Sequence, residues 1–347
     1  MRAATNGLAE LELKARVAHI IAALQACLPE SVPAALEIAV GAGQDLEGFS
    51  AWPVIDFVGE HGRGHFAESM EALRRLTARF TGEFAIRGFI EDDEKRALGL
   101  LRTWTRDPSE HVRRLVSEGT RPRLPWGARL RSFQRDPSPV IELLELLKDD
   151  ASETVRRSVA NNLNDIAKDH PERVIELCGR WWRGASPERK WIVTRALRTR
   201  IKAGDRQALG VLGYDTRAIV GVRRLQISPQ RVSMGQALTL SFELVSKRAA
   251  RLVVDYAVHH VKHDGTTSPK VFKLTTLEVA AGEIRRIAKR HAFREITTRK
   301  YYSGRHALEL FVNGKSRDTL SFELKVEASR ARAPRAAPGR RGRSKAG

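Results

Sequence analysis

The stretch from His111 to Trp126 carries, on a short piece of chain, side chains that could form a catalytic or nucleic-acid-binding site. Its apolar residues recur at the spacing of three and four that is typical of a packed helix, and a glycine then ends that helix. Two prolines fix the segment that follows in an extended geometry. The pattern therefore predicts that Glu118 lies at a helix end, beside a stiff loop that presents Arg121, Arg123 and the indole of Trp126.

An internal repeat indicates how such side chains would be positioned. Residues 107–116, DPSEHVRRLV, match residues 150–159, DASETVRRSV, and a weaker copy runs from 186 to 197. Each copy has a turn that caps a helix, and the helix carries arginines beside its apolar stripe. Paired helices at a period of ~40–47 residues are typical of HEAT-like repeats, which stack into a solenoid with a concave face. Arg114 and Arg157 then become equivalent cations in a row, which matches the regular spacing of backbone phosphates.

Two more carboxylates, Glu83 and Asp165, lie in the same helical region. By the repeat offset Glu118 aligns with Asn161, and Asp165 follows one helical turn later, so two neighbouring repeats could bring Glu118 and Asp165 together. Carboxylates can stabilise a developing cation or align water, and an indole can contact a cation through its π face. From the residues alone an alternative stays open for each. The carboxylates could form surface salt bridges with the many arginines, and Trp126 could be an aromatic plug between repeats.

Beyond Gly204 apolar and polar residues alternate at a period of two, which predicts β-strands. About seven short strands, separated by turn signals such as Asn313-Gly314, indicate an immunoglobulin-like β-sandwich without the paired core cysteines of antibody domains. We therefore predict a multidomain fold class: an all-α HEAT-like repeat solenoid over residues 1–205, a linker over 206–218, and an all-β immunoglobulin-like sandwich over 219–327. Residues 328–347 carry seven Arg or Lys and no acid, which predicts a disordered basic tail that either holds nucleic acid loosely or is merely solvated.

The charge and composition restrict the function classes. The formal net charge is +20, so the expected partner is a polyanion. No apolar run approaches the roughly 20 residues of a membrane-spanning helix, and no signal peptide is evident, which predicts a cytoplasmic, nucleoid-associated protein with no membrane association. Cys27 and Cys178 lack CxxC spacing, and the histidines at 259, 260 and 263 lack a carboxylate ligand pattern. His61 and His65 flank two glycines, which favours a helix-entry loop over a metal site. We therefore predict no disulfide framework and no metal site.

Three segments of the helical region resemble a known family. They are FTGEFAIR at 80–87, HVRRLVSEGTRPRLPWG at 111–127 and VRRSVANNLNDIAKDHPERV at 155–174. In this order they are similar to the AlkC branch of the HEAT-like-repeat DNA alkylation repair glycosylases, and the resemblance covers roughly residues 10 to 205. The sandwich that follows resembles the immunoglobulin-like domain that some members of this branch carry.

The resemblance implies a monofunctional DNA glycosylase, a hydrolase of base excision repair. Such an enzyme cleaves the N-glycosidic bond of cationic alkylated bases, such as 3-methyladenine and 3-methylcytosine, in duplex DNA, without a metal or a nucleotide cofactor. By the same resemblance the catalytic residues are Glu83, Glu118 and Asp165, and Trp126 contacts the lesion or its sugar. We expect Asp165 or Glu118 to lie nearest the sugar and the attacking water, with Glu83 in a supporting role.

The expected partner is duplex DNA that contains alkylated bases, bound by a monomer. Four arginines are the predicted phosphate contacts: Arg114, Arg121, Arg123 and Arg157. The alternative function is a non-enzymatic HEAT-repeat scaffold that binds nucleic acid, because a charge of +20 alone explains such binding. The two functions differ in one feature. Isolated carboxylates such as Glu118 and Asp165 weaken the binding of a polyanion, so a scaffold has no need of them in a cationic groove.

Overall fold

The chain forms two compact units. A computed structural model describes residues 2–326, with a helical unit that ends at Gly213 and a β unit that begins at Tyr214. The predicted order, an all-α unit followed by an all-β unit, is confirmed. The predicted basic tail, residues 328–347, lies outside the described residues.

The helical unit is built from short helices joined by turns. Its α-helices are α1 (Arg2–Thr5), α2 (Leu13–Cys27), α3 (Val32–Gly43), α4 (Trp52–His61), α5 (Phe66–Leu76), α6 (Ile86–Asp92), α7 (Glu94–Trp104), α8 (Glu110–Gly119), α9 (Arg131–Arg135), α10 (Ser138–Leu147), α11 (Glu153–Ile166), α12 (Pro171–Trp182), α13 (Pro187–Ala196), α14 (Arg198–Lys202) and α15 (Arg206–Val211). The three helices that begin the copies of the sequence repeat form a row, because α8 packs against α11 and α11 packs against α13.

The sequence repeat is accompanied by a repeat of contacts. Oδ1 of Asp107 and Oδ1 of Asp150 each accept a hydrogen bond of 2.8 Å from the backbone N–H two residues later, at the start of α8 and of α11. Each aspartate also receives an arginine from an earlier helix. Nε of Arg74 lies 2.6 Å from Oδ2 of Asp107, and Nε of Arg113 lies 2.6 Å from Oδ2 of Asp150. In these two copies one aspartate thus closes the turn before its helix and ties it to a helix that precedes it.

The predicted apolar stripe of α8 is confirmed, because Val112, Leu115 and Val116 are all buried. Gly119 is the last residue of α8, as the sequence predicts, and the structure shows why a glycine is needed there. A β-carbon at Gly119 would lie only 2.7 Å from Cγ2 of Ile86. The end of α8 therefore approaches α6 more closely than any residue with a side chain would allow.

The β unit has eight strands among the described residues, one more than the sequence predicts. They are β1 (Val220–Ser228), β2 (Arg231–Ser233), β3 (Ala237–Ser246), β4 (Ala250–Val261), β5 (Thr267–Val279), β6 (Ile284–Ala292), β7 (Gly304–Val312) and β8 (Lys315–Lys325). One sheet has the strand order β1-β3-β6 and the other the order β2-β8-β7-β4-β5. The hairpin predicted at Asn313-Gly314 is confirmed, and φ is positive at both residues, 47° and 73°, as a two-residue turn of type I′ requires.

The segment between the two units differs from the prediction. Residues 206–218 were expected to be a linker, yet Arg206–Val211 form α15, which packs against α12. The carboxylate of Asp205 accepts hydrogen bonds from the backbone N–H groups of Gln207 and Ala208 and so caps this helix. The first six residues of the predicted linker therefore belong to the helical unit, because their two buried apolar residues complete its packing.

Candidate active site

The side chain of Arg121 brings Glu118 and Asp165 together. Its Nη1 lies 2.5 Å from Oε1 of Glu118, and its Nε and Nη2 lie 2.8 Å and 2.7 Å from Oδ2 of Asp165. Glu118 is the penultimate residue of α8 and Asp165 the penultimate residue of α11, so the packing of these two helices sets the separation of the carboxylates. The three side chains are 8%, 4% and 10% exposed for Glu118, Asp165 and Arg121. The open alternative of salt bridges with arginines is therefore borne out in part: both carboxylates pair with Arg121, but in a buried cluster and not at the surface.

A departure from the repeat makes room for Glu118. The position in α11 that corresponds to the buried Leu115 is Ser158, and its Oγ donates a hydrogen bond of 2.6 Å to Oε2 of Glu118. Oγ of Ser117 lies 2.7 Å from Oγ of Ser158 and extends the network. A polar residue inside an apolar stripe is the sequence signal for this contact, which was not predicted. Both oxygens of the Glu118 carboxylate thus have a donor in this cluster.

Two cations near Asp165, Lys168 and Arg198, were also not predicted. Nζ of Lys168 lies 2.8 Å from Oδ1 of Asp165, and the Lys168 side chain is 45% exposed. The spacing of three residues on one helix is the signal for this pair. Burial and the charge of Arg195 lower the pKa of Arg198, while the charge of Asp165 opposes them. Asp165 therefore lies at the edge of the buried cluster, next to a region of dense positive charge.

The loop that carries Arg121 is held by a buried arginine of α6. Arg87 is 2% exposed, and its guanidinium donates hydrogen bonds of 2.9 Å to the carbonyl oxygens of Gly119 and Arg121 and one of 2.8 Å to that of Ala128. Burial lowers the pKa of Arg87 to about 10, so the side chain stays protonated at neutral pH. Burial also lowers the pKa of Arg121, but the charges of Glu118 and Asp165 outweigh this effect and the net pKa is raised. Both guanidinium groups are therefore fixed positive charges.

Glu83 lies in a separate ion pair. Its Oε2 is 2.9 Å from Nη2 of Arg114 and accepts a hydrogen bond of 2.5 Å from Oγ1 of Thr81. Arg114 precedes Glu118 by one helical turn on α8, so this second pair is one turn away from the cluster around Arg121. The structure thus joins Glu118 and Asp165 through one guanidinium, and it holds Glu83 through another.

Trp126 is an exposed side chain on a constrained backbone. The residue is 68% exposed, and its φ of 66° lies in the left-handed region that residues other than glycine rarely adopt. Nζ of Lys14 donates a hydrogen bond of 2.7 Å to its carbonyl oxygen. The open alternative of an aromatic plug between repeats is wrong, because a plug would be buried. The indole is available to a ligand instead.

The four predicted phosphate contacts differ in their availability. Arg121 does not fit this role, because it is buried and its donors are taken by two carboxylates. Arg114 is partly buried against Glu83, and Nε of Arg123 donates a hydrogen bond of 2.8 Å to Oδ2 of Asp169. Arg157 is 54% exposed, and its ion pair with Glu153 is an exposed pair within one helix. Of the four arginines, Arg157 is therefore the one most accessible to a phosphate.

Metal-binding clusters and membrane-spanning helices are absent from residues 2–326. In this part of the chain no three His, Cys, Asp or Glu side chains are grouped so that they could hold a metal ion. No helix among these residues combines the length and the apolar character that a bilayer crossing requires. The β unit has a cavity of about 670 Å³ that is lined by residues such as Lys300 and Tyr301. None of the predicted site residues lines this cavity. The buried carboxylate cluster is therefore the candidate active site.

Comparison with known proteins agrees with this architecture. Residues 221–326 match the family described as the C-terminal Ig-like domain of the uncharacterised protein YhaZ. The YhaZ protein of Bacillus subtilis (strain 168) is 38% identical over 315 residues, which cover 91% of this chain and 88% of YhaZ. The chain is also similar to the alkylpurine DNA glycosylase AlkC of Pseudomonas fluorescens, solved bound to DNA containing an abasic site analog. The TM-score is 0.86 and the identity 40%, over 93% of this chain and 91% of that one.

The fold and the site define a class of two-unit proteins, in which a helical unit with a buried carboxylate cluster precedes an immunoglobulin-like domain. Within this class, the chain belongs to the AlkC-type DNA alkylation repair glycosylase family.

Proposed function

We propose that the chain is a monofunctional DNA glycosylase that hydrolyses the N-glycosidic bond of cationic alkylated bases, such as 3-methyladenine and 3-methylcytosine, in duplex DNA. The proposal rests on one observation: Glu118 and Asp165 both form ion pairs with the guanidinium of Arg121, in a chain with a net charge of +20. The reaction would be the first step of base excision repair, carried out by a monomer on the DNA of the nucleoid. It would need neither a metal nor a nucleotide cofactor.

The chemistry requires negative charge near the sugar and little else. When the bond between C1′ and the base nitrogen breaks, its electron pair leaves with the base, and a cationic alkylated base becomes neutral without being protonated. Positive charge then develops on the deoxyribose, and nearby carboxylates stabilise it. Water adds to C1′ and gives its proton to a carboxylate, which leaves a sugar without a base. Asp165 or Glu118 is proposed for this role, with Glu83 as a supporting charge.

The position of Lys168 supports Asp165 as the carboxylate nearest the sugar. Oδ2 of Asp165 is held by the buried Arg121, whereas Oδ1 faces the half-exposed Lys168. A DNA phosphate competes with Asp165 for the ammonium group of Lys168, so bound DNA can free Oδ1 for the sugar. Trp126 offers its exposed indole to the cationic base or to the sugar, and Arg157 and Arg123 contact the backbone phosphates.

The test is the release of free base from duplex DNA treated with a methylating agent, in the presence of a chelator. Asp165→Asn and Glu118→Gln should each slow release by about 100-fold or more, because amides lack the charge that stabilises the sugar cation. Two exposed carboxylates provide matched controls: Asp149→Asn and Glu176→Gln should release base at the wild-type rate. Undiminished release by both site variants would contradict the assigned roles, and inhibition of the wild type by the chelator would contradict a metal-free reaction.

The alternative function is a non-enzymatic HEAT-repeat scaffold that binds nucleic acid. Its support is that Glu118 and Asp165 are each paired with a cation, so they need not weaken polyanion binding. A scaffold predicts that the wild type binds methylated duplex DNA and releases no base. It also predicts that Asp165→Asn binds DNA as tightly as the wild type or more tightly, with no effect on the DNA itself.

A further inference from the structure

A cleft with an unusual lining lies in the helical unit beside Trp126. Helices α2 and α4 pack against each other, and the cleft of about 230 Å³ is lined by side chains of both, including Lys14 and Asp56. Phe84 and Trp126 contribute aromatic surface, together with Trp52. The cleft contains neither Glu118 nor Asp165, and Trp126 is the one residue that it shares with the reaction proposed above.

Asp56 presents an acceptor without a donor. Its Oδ2 accepts a hydrogen bond of 2.7 Å from Nε1 of Trp52, whereas its buried Oδ1 has no hydrogen-bond partner among residues 2–326. Burial raises the pKa of Asp56 to about 6, against the opposing effect of the Trp52 hydrogen bond. A buried carboxylate oxygen without a donor is unfavourable, and a ligand in the cleft whose N–H group drew this oxygen out of its buried position would remove this penalty.

The aromatic lining suits a flat ligand. The rings of Trp52 and Phe84 are stacked, with centroids 5.6 Å apart and an angle of 29° between their planes. Trp126 adds an exposed indole at the cleft, and the hydrogen bond from Lys14 to its carbonyl oxygen fixes its loop to α2. Stacking on aromatic side chains is a general way to bind nucleobases, because every base has a π face.

The charges indicate which flat ligand fits. Asp56 and Glu60 both line the cleft, and its one lysine, Lys14, already donates to the carbonyl oxygen of Trp126. Two carboxylates disfavour a ligand that carries a phosphate, such as a nucleotide. A free base carries no phosphate, and the exocyclic amino group of an alkylated purine is a donor of the kind that Oδ1 of Asp56 lacks.

We propose that this cleft binds the alkylated base after its release, with an N–H group of the base donating to Oδ1 of Asp56 and its ring against Trp126 and the neighbouring aromatic side chains. The identity of the ligand rests on the proposed glycosylase function. The cleft is thus a product site that shares Trp126 with the reaction but contains neither Glu118 nor Asp165, and free base that accumulates would occupy it.

The test is the binding of 3-methyladenine to the full chain without DNA, measured by titration calorimetry and by quenching of tryptophan fluorescence. Asp56→Asn should weaken binding by about tenfold or more, because the amide places an N–H group where an acceptor is needed. Trp126→Ala should weaken it by about tenfold through the loss of stacking. Asp45→Asn, at an exposed carboxylate that does not line the cleft, is the matched control and should bind as the wild type does.

The outcomes separate the cleft from the proposed reaction. No binding of 3-methyladenine to the wild type, or unchanged binding by Trp126→Ala and Asp56→Asn, would overturn the site. Equal affinity for 3-methyladenine and for deoxyadenosine monophosphate would overturn the assignment to a free base. If Asp56→Asn does not fold, Trp126→Ala decides, because that side chain is exposed and lies outside the core. A wild type that binds the free base but releases none from DNA would leave the cleft standing as a binding site and would refute the glycosylase.

Discussion

Replacing Arg121 by methionine should destabilise the helical unit, because two carboxylates depend on this guanidinium. The change removes the hydrogen bonds to Glu118 and Asp165, whose side chains are 8% and 4% exposed. Loss of one partner of a buried ion pair costs roughly 3–5 kcal/mol, since the remaining charge is uncompensated. For a unit of roughly 150–250 residues this lowers the midpoint of thermal unfolding by roughly 6–20 °C. We expect the lower half of this range, because Lys168 still faces Asp165.

Tryptophan fluorescence reports this transition selectively, because all six tryptophans lie in the helical unit and all four tyrosines in the β unit. Arg180→Met is the control, since it breaks an exposed pair with Glu176 and should change stability by less than about 1 kcal/mol. A triple variant that adds Glu118→Gln and Asp165→Asn to Arg121→Met should regain most of the lost stability, because neutral amides leave no buried charge. Equal midpoints for Arg121→Met and Arg180→Met would refute the reasoning.

Three further predictions concern the supports of the site and the β unit. Arg87→Met leaves three carbonyl oxygens without their donor and should lower the free energy of unfolding by roughly 2–5 kcal/mol in urea titrations; an unchanged midpoint would show that the loop does not depend on it. Gly119→Ala should destabilise by about 1–3 kcal/mol through the clash with α6, whereas Gly99→Ala, with no atom within 4 Å, should be neutral or stabilising, and similar effects of the two would contradict the steric argument. Burial lowers the pKa of His260 to about 3 and that of His291 to about 4. As the pH falls, the unfolded β unit therefore binds protons at a higher pH than the folded β unit does. Its stability, followed by tyrosine fluorescence, should therefore fall as the pH drops from 6.5 towards 4, and a flat profile would refute this.

Features that depend on local pattern could be predicted from the sequence. The stripe of α8 follows from helical spacing, and the hairpin at Asn313-Gly314 follows from the positive φ that its turn requires. The repeat offset also placed Glu118 near Asp165, because equivalent helices of neighbouring repeats pack side by side. These predictions share one property: each needs only the period of an element or the order in which elements stack.

Side-chain contacts for which the sequence offers many alternative partners could not be predicted. The chain has 61 Lys or Arg and 41 Asp or Glu, so nothing in the sequence says that Arg121 meets carboxylates and not phosphates. Arg87 reads as one more cation, although its position between buried apolar residues of α6 is a signal in retrospect. Helix α15 has only six residues, too few for a period to be recognised. The donor missing at Asp56 depends on the packing of α2 against α4, which no local pattern specifies.

The aspartates that precede α8 and α11 have a consequence for how such a protein can change length in evolution. Each one serves the helix that follows it and receives an arginine from before it, as Asp107 does from Arg74 and Asp150 from Arg113. In both pairs the arginine precedes its aspartate in the sequence, so each contact joins one part of the helical unit to the copy that follows it. A duplicated copy brings both its own aspartate and the arginine for the next one, so a duplication leaves neither of these aspartates without an arginine. Stacked repeats that couple only to their neighbours can be gained or lost as modules for this reason.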